Sequence, residues 1–242
     1  MSFASVIKSE FVKIRHTAFC GIHIIMSVLG VSVFLLYFSI YPERDIMWKL
    51  RFMSEVTATI FPLLISVVIG INIMLEEKAS AFYSLLAVPD RKKMIAGKIM
   101  VLYLSGTAAC ISLYGLWNIG MIFFNKEEMP TMIIIELVLG MVLSGMFYYV
   151  FHLFLNLRFG IGISVFCGVF ESMQSILYSN VELQGIVRLI PFAWMQEWIQ
   201  IVLQKKVEEH IPECLAVIVL IICSLLLFLE WFAGWEGRKH EE

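Results

Sequence analysis

Few residues in this chain are equipped for chemistry, and most of them stand inside or beside long apolar runs. Glu136 and Glu171 each interrupt such a run. An ionisable side chain in apolar surroundings is costly, which makes both acids candidates for a functional role. If they face a shared outer cavity, they would attract a cationic ligand. The structural alternative is an acid that is protonated or hydrogen-bonded between helices, with Ser172 or Gln174 as neighbours. Glu230, beside Trp231 near an inner end, reads as a solvated acid.

Catalytic patterns are incomplete. Glu76-Glu77 together with His152-x-x-x-Asn156 resembles the paired motifs of intramembrane metalloproteases. The arginine that should follow the acid pair is Ala81, however, and a metal site needs about three ligands. This reading is kept as a minor alternative, and His152 otherwise reads as a polar residue near the end of its run. Nucleotide binding needs a glycine-rich phosphate loop ending in Gly-Lys-Ser/Thr. The only Gly-Lys pair, Gly97-Lys98, is followed by Ile99 and has Lys92 where the first glycine should stand. No catalytic residue, metal site or cofactor is expected, and any ATP would be hydrolysed by another chain. The cysteines, Cys20, Cys110, Cys167, Cys214 and Cys223, form no C-x-x-C pair and read as small packing residues. A net charge of −2 gives no basis for nucleic-acid binding.

The elements that must position these residues are membrane helices. The chain is 60% hydrophobic and only 16% charged, with a mean hydropathy of +0.86. A soluble domain carries about a quarter charged residues, so lipid is the expected solvent. Six runs approach or exceed the roughly 20 apolar residues that cross a bilayer: Thr17–Tyr41, Val56–Leu75, Ile99–Phe124, Thr131–Leu155, Phe159–Tyr178 and Ile211–Phe232. None shows the alternation of barrel strands. The first is too long for a signal-peptide core and is read as a retained helix. The expected fold is an all-α membrane protein forming one transmembrane domain over residues 1–242, with both termini cytoplasmic. With the N-terminus inside, eleven Lys and Arg fall on the cytoplasmic side against seven outside, including Arg91-Lys92-Lys93 in one loop and Arg238 and Lys239 at the end.

Two further segments are amphipathic without spanning. Residues 3–14 place Phe3, Val6, Ile7, Phe11 and Ile14 on one stripe, with Lys8 and Lys13 off it, as in an N-terminal interfacial helix. Leu189–Leu203 opens with Pro191 and carries Trp194, Trp198 and Ile201 on one face. It is too short to span and predicts a short helix in the outer interface between spans five and six, either dipping inward, with the tryptophans as part of a ligand path, or resting on the headgroups with the tryptophans as anchors.

The loop between spans two and three is the most informative. Glu76-Glu77 opens it, an apolar turn with Phe82, Leu85 and Leu86 follows, Pro89 ends that turn, and Arg91-Lys92-Lys93 leads to Gly97-Lys98. An exposed apolar turn on a cytoplasmic loop suits docking into a groove on a partner, and a plain interfacial helix is the alternative.

On these residues the chain resembles the ABC-2-type transporter permeases. The acid pair, the apolar turn, Leu85-Leu86, Pro89-x-Arg91 and Lys98 at the opening of span three look like that family's cytoplasmic coupling segment. Glu10-x-x-Lys13 looks like its N-terminal lead-in. With six spans and an amphipathic outer segment, the resemblance covers the whole chain. Its small size, and a lead-in running on to Ile22-His23-Ile24-Ile25, resemble the lantibiotic-immunity subgroup. The resemblance implies a permease subunit that works with a cytoplasmic ATP-binding subunit and a second permease, paralogue or self, to expel a cationic antimicrobial peptide from membrane lipid. It implies ATPase coupling through Glu76, Glu77, Phe82, Leu85, Leu86, Pro89 and Arg91. The substrate path would use Glu171, Glu136, Trp194 and Trp198. A permease for another drug or lipid is the alternative within transport.

Overall fold

The computed structural model describes residues 2–15, 18–128, 130–181 and 188–238. The described residues are almost entirely helical and contain no strand. Their α-helices are α1 (Phe3–Arg15), α2 (Ala18–Ile40), α3 (Ile46–Ser80), α4 (Tyr83–Leu86), α5 (Arg91–Gly120), α6 (Thr131–Phe159), α7 (Ile161–Tyr178), α8 (Trp194–Leu203) and α9 (Ile211–Ala233). Among the described residues, α2, α3, α5, α6, α7 and α9 are long and apolar enough to cross a membrane. The expected start of span one at Thr17 and the terminal Lys239 lie outside the described residues.

Helix ends follow local chemistry. Asp45 caps α3 by accepting the Met47 N–H at 3.0 Å, and Asp90 caps α5 by accepting the Lys93 N–H at 3.0 Å. α3 runs well past the expected Val56–Leu75 at both ends: 35 residues at 1.5 Å each make about 52 Å, longer than the ~30 Å hydrocarbon layer. It ends where Ala81 and Phe82 turn left-handed, with φ of 46° and 66°. Two successive non-glycine residues in that region cost roughly 1–2 kcal/mol each, so the junction needs tertiary support.

The core lies between α3, α5, α6 and α7, with α2 and α9 on the flanks and their apolar faces exposed to lipid. α3 and α7 approach closely because Gly168 lacks a side chain: a Cβ there would stand 2.6 Å from Ser66 Oγ. α1, α4 and residues 235–238 gather at one end of the bundle, here the α4 end. The start of α3, the loop after α5 and α8 gather at the other, the α8 end. There Lys49, fully buried, reaches Glu127 at 2.5 Å.

The amphipathic stripe of α1 divides in two. Val6, Ile14 and Glu10 are buried, with Val6 against Gly97 of α5, whereas Phe3 and Phe11 are exposed. For α8 the structure bears on the two expected placements. In place of a helix resting on the surface with its indoles as anchors, it is packed into the bundle, with Trp194, Met195, Gln196 and Ile199 all buried. The reason is polar as well as apolar. Gln196 Nε2 lies within hydrogen-bonding distance of Glu55 O, Thr59 Oγ1 and Ser175 Oγ, and Trp198 Nε1 donates to Glu136 O at 2.8 Å.

Candidate functional site: a buried charge ring beneath the coupling segment

At the α4 end, four charged side chains from three helices close a ring. Lys13 Nζ lies 2.6 Å from Glu10 Oε1 and 3.0 Å from Glu76 Oε1. Lys98 Nζ lies 2.7 Å from Glu10 Oε2 and 2.8 Å from Glu76 Oε1. Each lysine therefore touches both acids, and the formal charges cancel. Lys98 also donates to Asn72 Oδ1 at 3.0 Å. Glu10 and Lys98 are each 1% exposed, and buried charges persist only when paired and hydrogen-bonded. For Lys13, burial works against the charge, but Glu10 and then Glu76 more than reverse this, so its pKa stands above the ordinary lysine value.

The ring is joined to α4. Ser84 donates to Glu76 Oε2 at 2.6 Å, and the Ser84 N–H reaches Ser80 Oγ. The far side of α4 is held by the chain's last described residues. Phe82 stacks edge-on with Trp235, and the Arg238 guanidinium lies over the Phe82 ring at 5.4 Å. Arg238 Nη2 meets Glu77 at 2.9 Å, while Arg91 donates to Leu86 O and Trp235 O. Lys92 meets Glu230 at 2.5 Å, so that acid is paired rather than merely solvated.

This arrangement corrects the expectation of an exposed apolar docking turn. Phe82 is 3% exposed and Leu85 is fully buried, because they cover the strained Ala81–Phe82 junction and pack on the core and Trp235. Leu86 is half-buried. Tyr83, 72% exposed, is the large side chain that α4 presents outward. Pro89 stands in the short link to α5. The structure thus brings Glu76, Glu77, Phe82, Leu85, Leu86 and Arg91 together as one buried joint. Lys98, which the resemblance already placed in the coupling segment, and Asn72, which no sequence pattern singled out, complete it. The chain reversal at residues 81–90 lets the long Lys98 side chain on α5 reach back to Asn72 and Glu76 on α3, although the two helix backbones do not pack on each other.

Of the four residues of the expected ligand path, Glu136, Trp194 and Trp198 lie together where α6 meets α8, and Glu171 is held elsewhere by His152. Glu171 is buried and bonded to His152, Oε2 to Nε2 at 3.0 Å. His152 Nδ1 meets Ser164 Oγ at 3.0 Å, and Asn156 Nδ2 donates to that same oxygen at 2.7 Å. Glu171 is therefore an acid fixed between α6 and α7, and its partner is His152 rather than Gln174 or Ser172. Glu136 is half-buried on α6, and its backbone carbonyl accepts from the Trp198 indole. Trp194 and Trp198 line a cleft between α6, α8 and α9. Glu76 and His152 belong to two different networks, and among the described residues no group of three or more His, Cys, Asp or Glu could hold a metal ion. That separates the two halves of the metalloprotease pattern.

Six membrane-length helices among the described residues, with a charged joint under a short connecting helix, describe a multi-pass membrane protein. A family model described as ABC-2 family transporter protein matches residues 6–171, and the chain belongs to that family. The match includes α1 from Val6 onward, the whole joint between α3 and α5, and Glu171. No curated protein and no solved structure matches the chain. Membership makes the chain a multi-pass membrane permease subunit of an ABC transporter, and it implies an ATP-binding partner.

Proposed function

We propose that the chain is the membrane half of an exporter that clears cationic amphipathic antimicrobial peptides of the lantibiotic kind, driven by a separate ATPase that engages the α4 end. The observation that carries the coupling part is the Glu10–Lys13–Glu76–Lys98 ring. It ties α1, α3 and α5 into one unit directly beneath α4. A push on α4 then moves three helices together, because packed, charge-locked elements shift as bodies. Tyr83 supplies the outward contact for the ATPase, with Phe82, Leu85, Leu86, Pro89 and Arg91 as the support that transmits its motion.

The charge bias of the loops supports a cytoplasmic α4 end and cytoplasmic termini, with α1 lying in the inner interface through Phe3 and Phe11. A second permease, a copy of this chain or a paralogue, completes the path. α8 and α9, beyond the matched residues, belong to the same permease unit. The peptide specificity is supported by resemblance in the sequence, namely the small size and the Ile22-His23-Ile24-Ile25 lead-in. Transport of another drug or lipid is the competing reading.

The test is co-purification and protection in one host. Tagged chain should retain an ATP-binding subunit, and Tyr83→Glu should release it at unchanged membrane level. Cells expressing the intact transporter should survive a lantibiotic better than cells carrying Tyr83→Glu. Unchanged ATPase recovery would remove α4 from coupling. Retained ATPase with no gain in survival would remove the peptide and leave the transporter.

A further inference from the structure

The cleft between α6, α8 and α9, which holds Trp194 and Trp198 of the expected ligand path, also carries charged groups to which the export reading gives no role. It comprises two adjoining cavities of about 60 Å³ each, which share Arg188, Glu197, Ile201 and His210. Each has room for several water-sized groups. One half is apolar, walled by Leu143, Trp198 and Val217; the other is polar, with Gln200, Gln204 and Lys206. Arg188 bridges the halves, 3.0 Å from Glu197 and 3.7 Å from Glu213.

Two groups lining the cleft have no hydrogen-bond partner among the described residues, and they are of opposite sense. Trp194 is 3% exposed and its Nε1–H donates to nothing; the buried Oε2 of Glu213 accepts from nothing. A buried polar atom left without a partner is costly, so each is placed to bond a ligand atom, or a water that a ligand can displace. A simple cation would satisfy Glu213 alone. A simple anion would meet Trp194 and Arg188 but be repelled by Glu197 and Glu213. A zwitterion satisfies both, its anionic part taking Trp194 N–H and Arg188, its cationic part taking Glu213. The cationic part must bring N–H donors to bond the carboxylate, which a primary ammonium does and a quaternary one does not. Leu143, which lines the apolar half, is itself exposed, as are Leu139 on the same helix and Leu215 and Val219 on α9, as suits acyl chains.

We propose that this cleft binds the headgroup of a phosphoethanolamine lipid, phosphate at Trp194 and Arg188 and ammonium at Glu213. The purified full chain, in detergent without ATPase, is mixed with equal amounts of phosphatidylethanolamine, phosphatidylcholine and phosphatidylglycerol of one chain composition, and retained lipid is counted by native mass spectrometry. Phosphatidylethanolamine should exceed each of the others by about fivefold, the scale of one or two net hydrogen bonds. Glu213→Gln should cut that preference about threefold, and Trp194→Phe should reduce retention of phosphatidylethanolamine; if either variant fails to fold, the other and the wild-type ranking decide. Equal retention of ethanolamine and choline lipids, preference for phosphatidylglycerol, or a ranking unmoved in both variants would overturn the proposal. Displacement of all three lipids by a short lysine-rich peptide, with no ethanolamine preference, would overturn it too. Because no ATPase takes part, failure here leaves the export reading untouched.

Discussion

Removing the Lys98 ammonium should be among the most damaging single changes at the α4 end. In Lys98→Met the volume is nearly kept, but Glu10 and Glu76 lose contacts of 2.7 and 2.8 Å and Asn72 loses a donor. The ring passes from neutral to a net −1, with one lysine left for two acids. Breaking a buried ion pair by removing one partner costs about 3–5 kcal/mol. Lys13 touches the same two acids, but its side chain is 33% exposed, so water can replace it, and Lys13→Met should cost about 1 kcal/mol or less. At about 2–4 °C per kcal/mol for a chain of this size, Lys98→Met should lower the melting temperature by roughly 10 °C and Lys13→Met by a few degrees. The assay is thermal unfolding of purified chain followed by size-exclusion chromatography. Adding Glu10→Gln to Lys98→Met restores neutrality, since Lys13 and Glu76 remain a pair at 3.0 Å. The double variant should therefore be more stable than the sum of the singles by about 1–3 kcal/mol. Equal effects of the two lysine substitutions, or an additive double variant, would refute the closed ring.

Three further outcomes are expected. Glu171→Gln keeps a partner for His152 Nε2 and should unfold within a few degrees of wild type, whereas Glu171→Leu leaves that buried ring nitrogen without a partner, with Nδ1 still held by Ser164, and should cost about 1–3 kcal/mol in the same assay. Gly140→Ala would drive a Cβ into the Trp198 indole, so the ring must leave the Glu136 carbonyl; about 1–3 kcal/mol of destabilisation and a shift in tryptophan fluorescence should follow. Ending the chain after Gly234 removes Trp235 and Arg238 from Phe82, and a cysteine at Leu85, slow to label in the full chain, should then react at least about tenfold faster as the local opening free energy falls by more than about 1.4 kcal/mol.

Much of the fold was legible because its signal is one-dimensional. A membrane helix must satisfy every backbone group within itself, so a long apolar run is sufficient to announce one. All six runs became helices, and the loop from Glu76 to Lys98 became the joint of the bundle. Length was less legible. α3 starts at Ile46, well before the expected Val56, because Ile46–Glu55 is polar enough to leave the apolar window yet still helical, capped by Asp45. Exposure was not legible either. Phe82 and Leu85 look like a sticky outward turn until Trp235, far along the chain, is seen to cover Phe82.

Composition and spacing alone determined that this chain carries six membrane-length helices and that a charged segment joins the second to the third. Both follow from transfer energies that act on each residue separately. What only the tertiary structure decided is which charges are partners. Glu10 could have faced headgroups, Glu171 a cavity and Trp194 the interface; instead Glu10 closes a ring with Lys98, Glu171 holds His152, and Trp194 is buried against Phe147. A buried charge is tolerable only where an opposite charge or a hydrogen-bonding group meets it, and that meeting depends on helices distant in sequence.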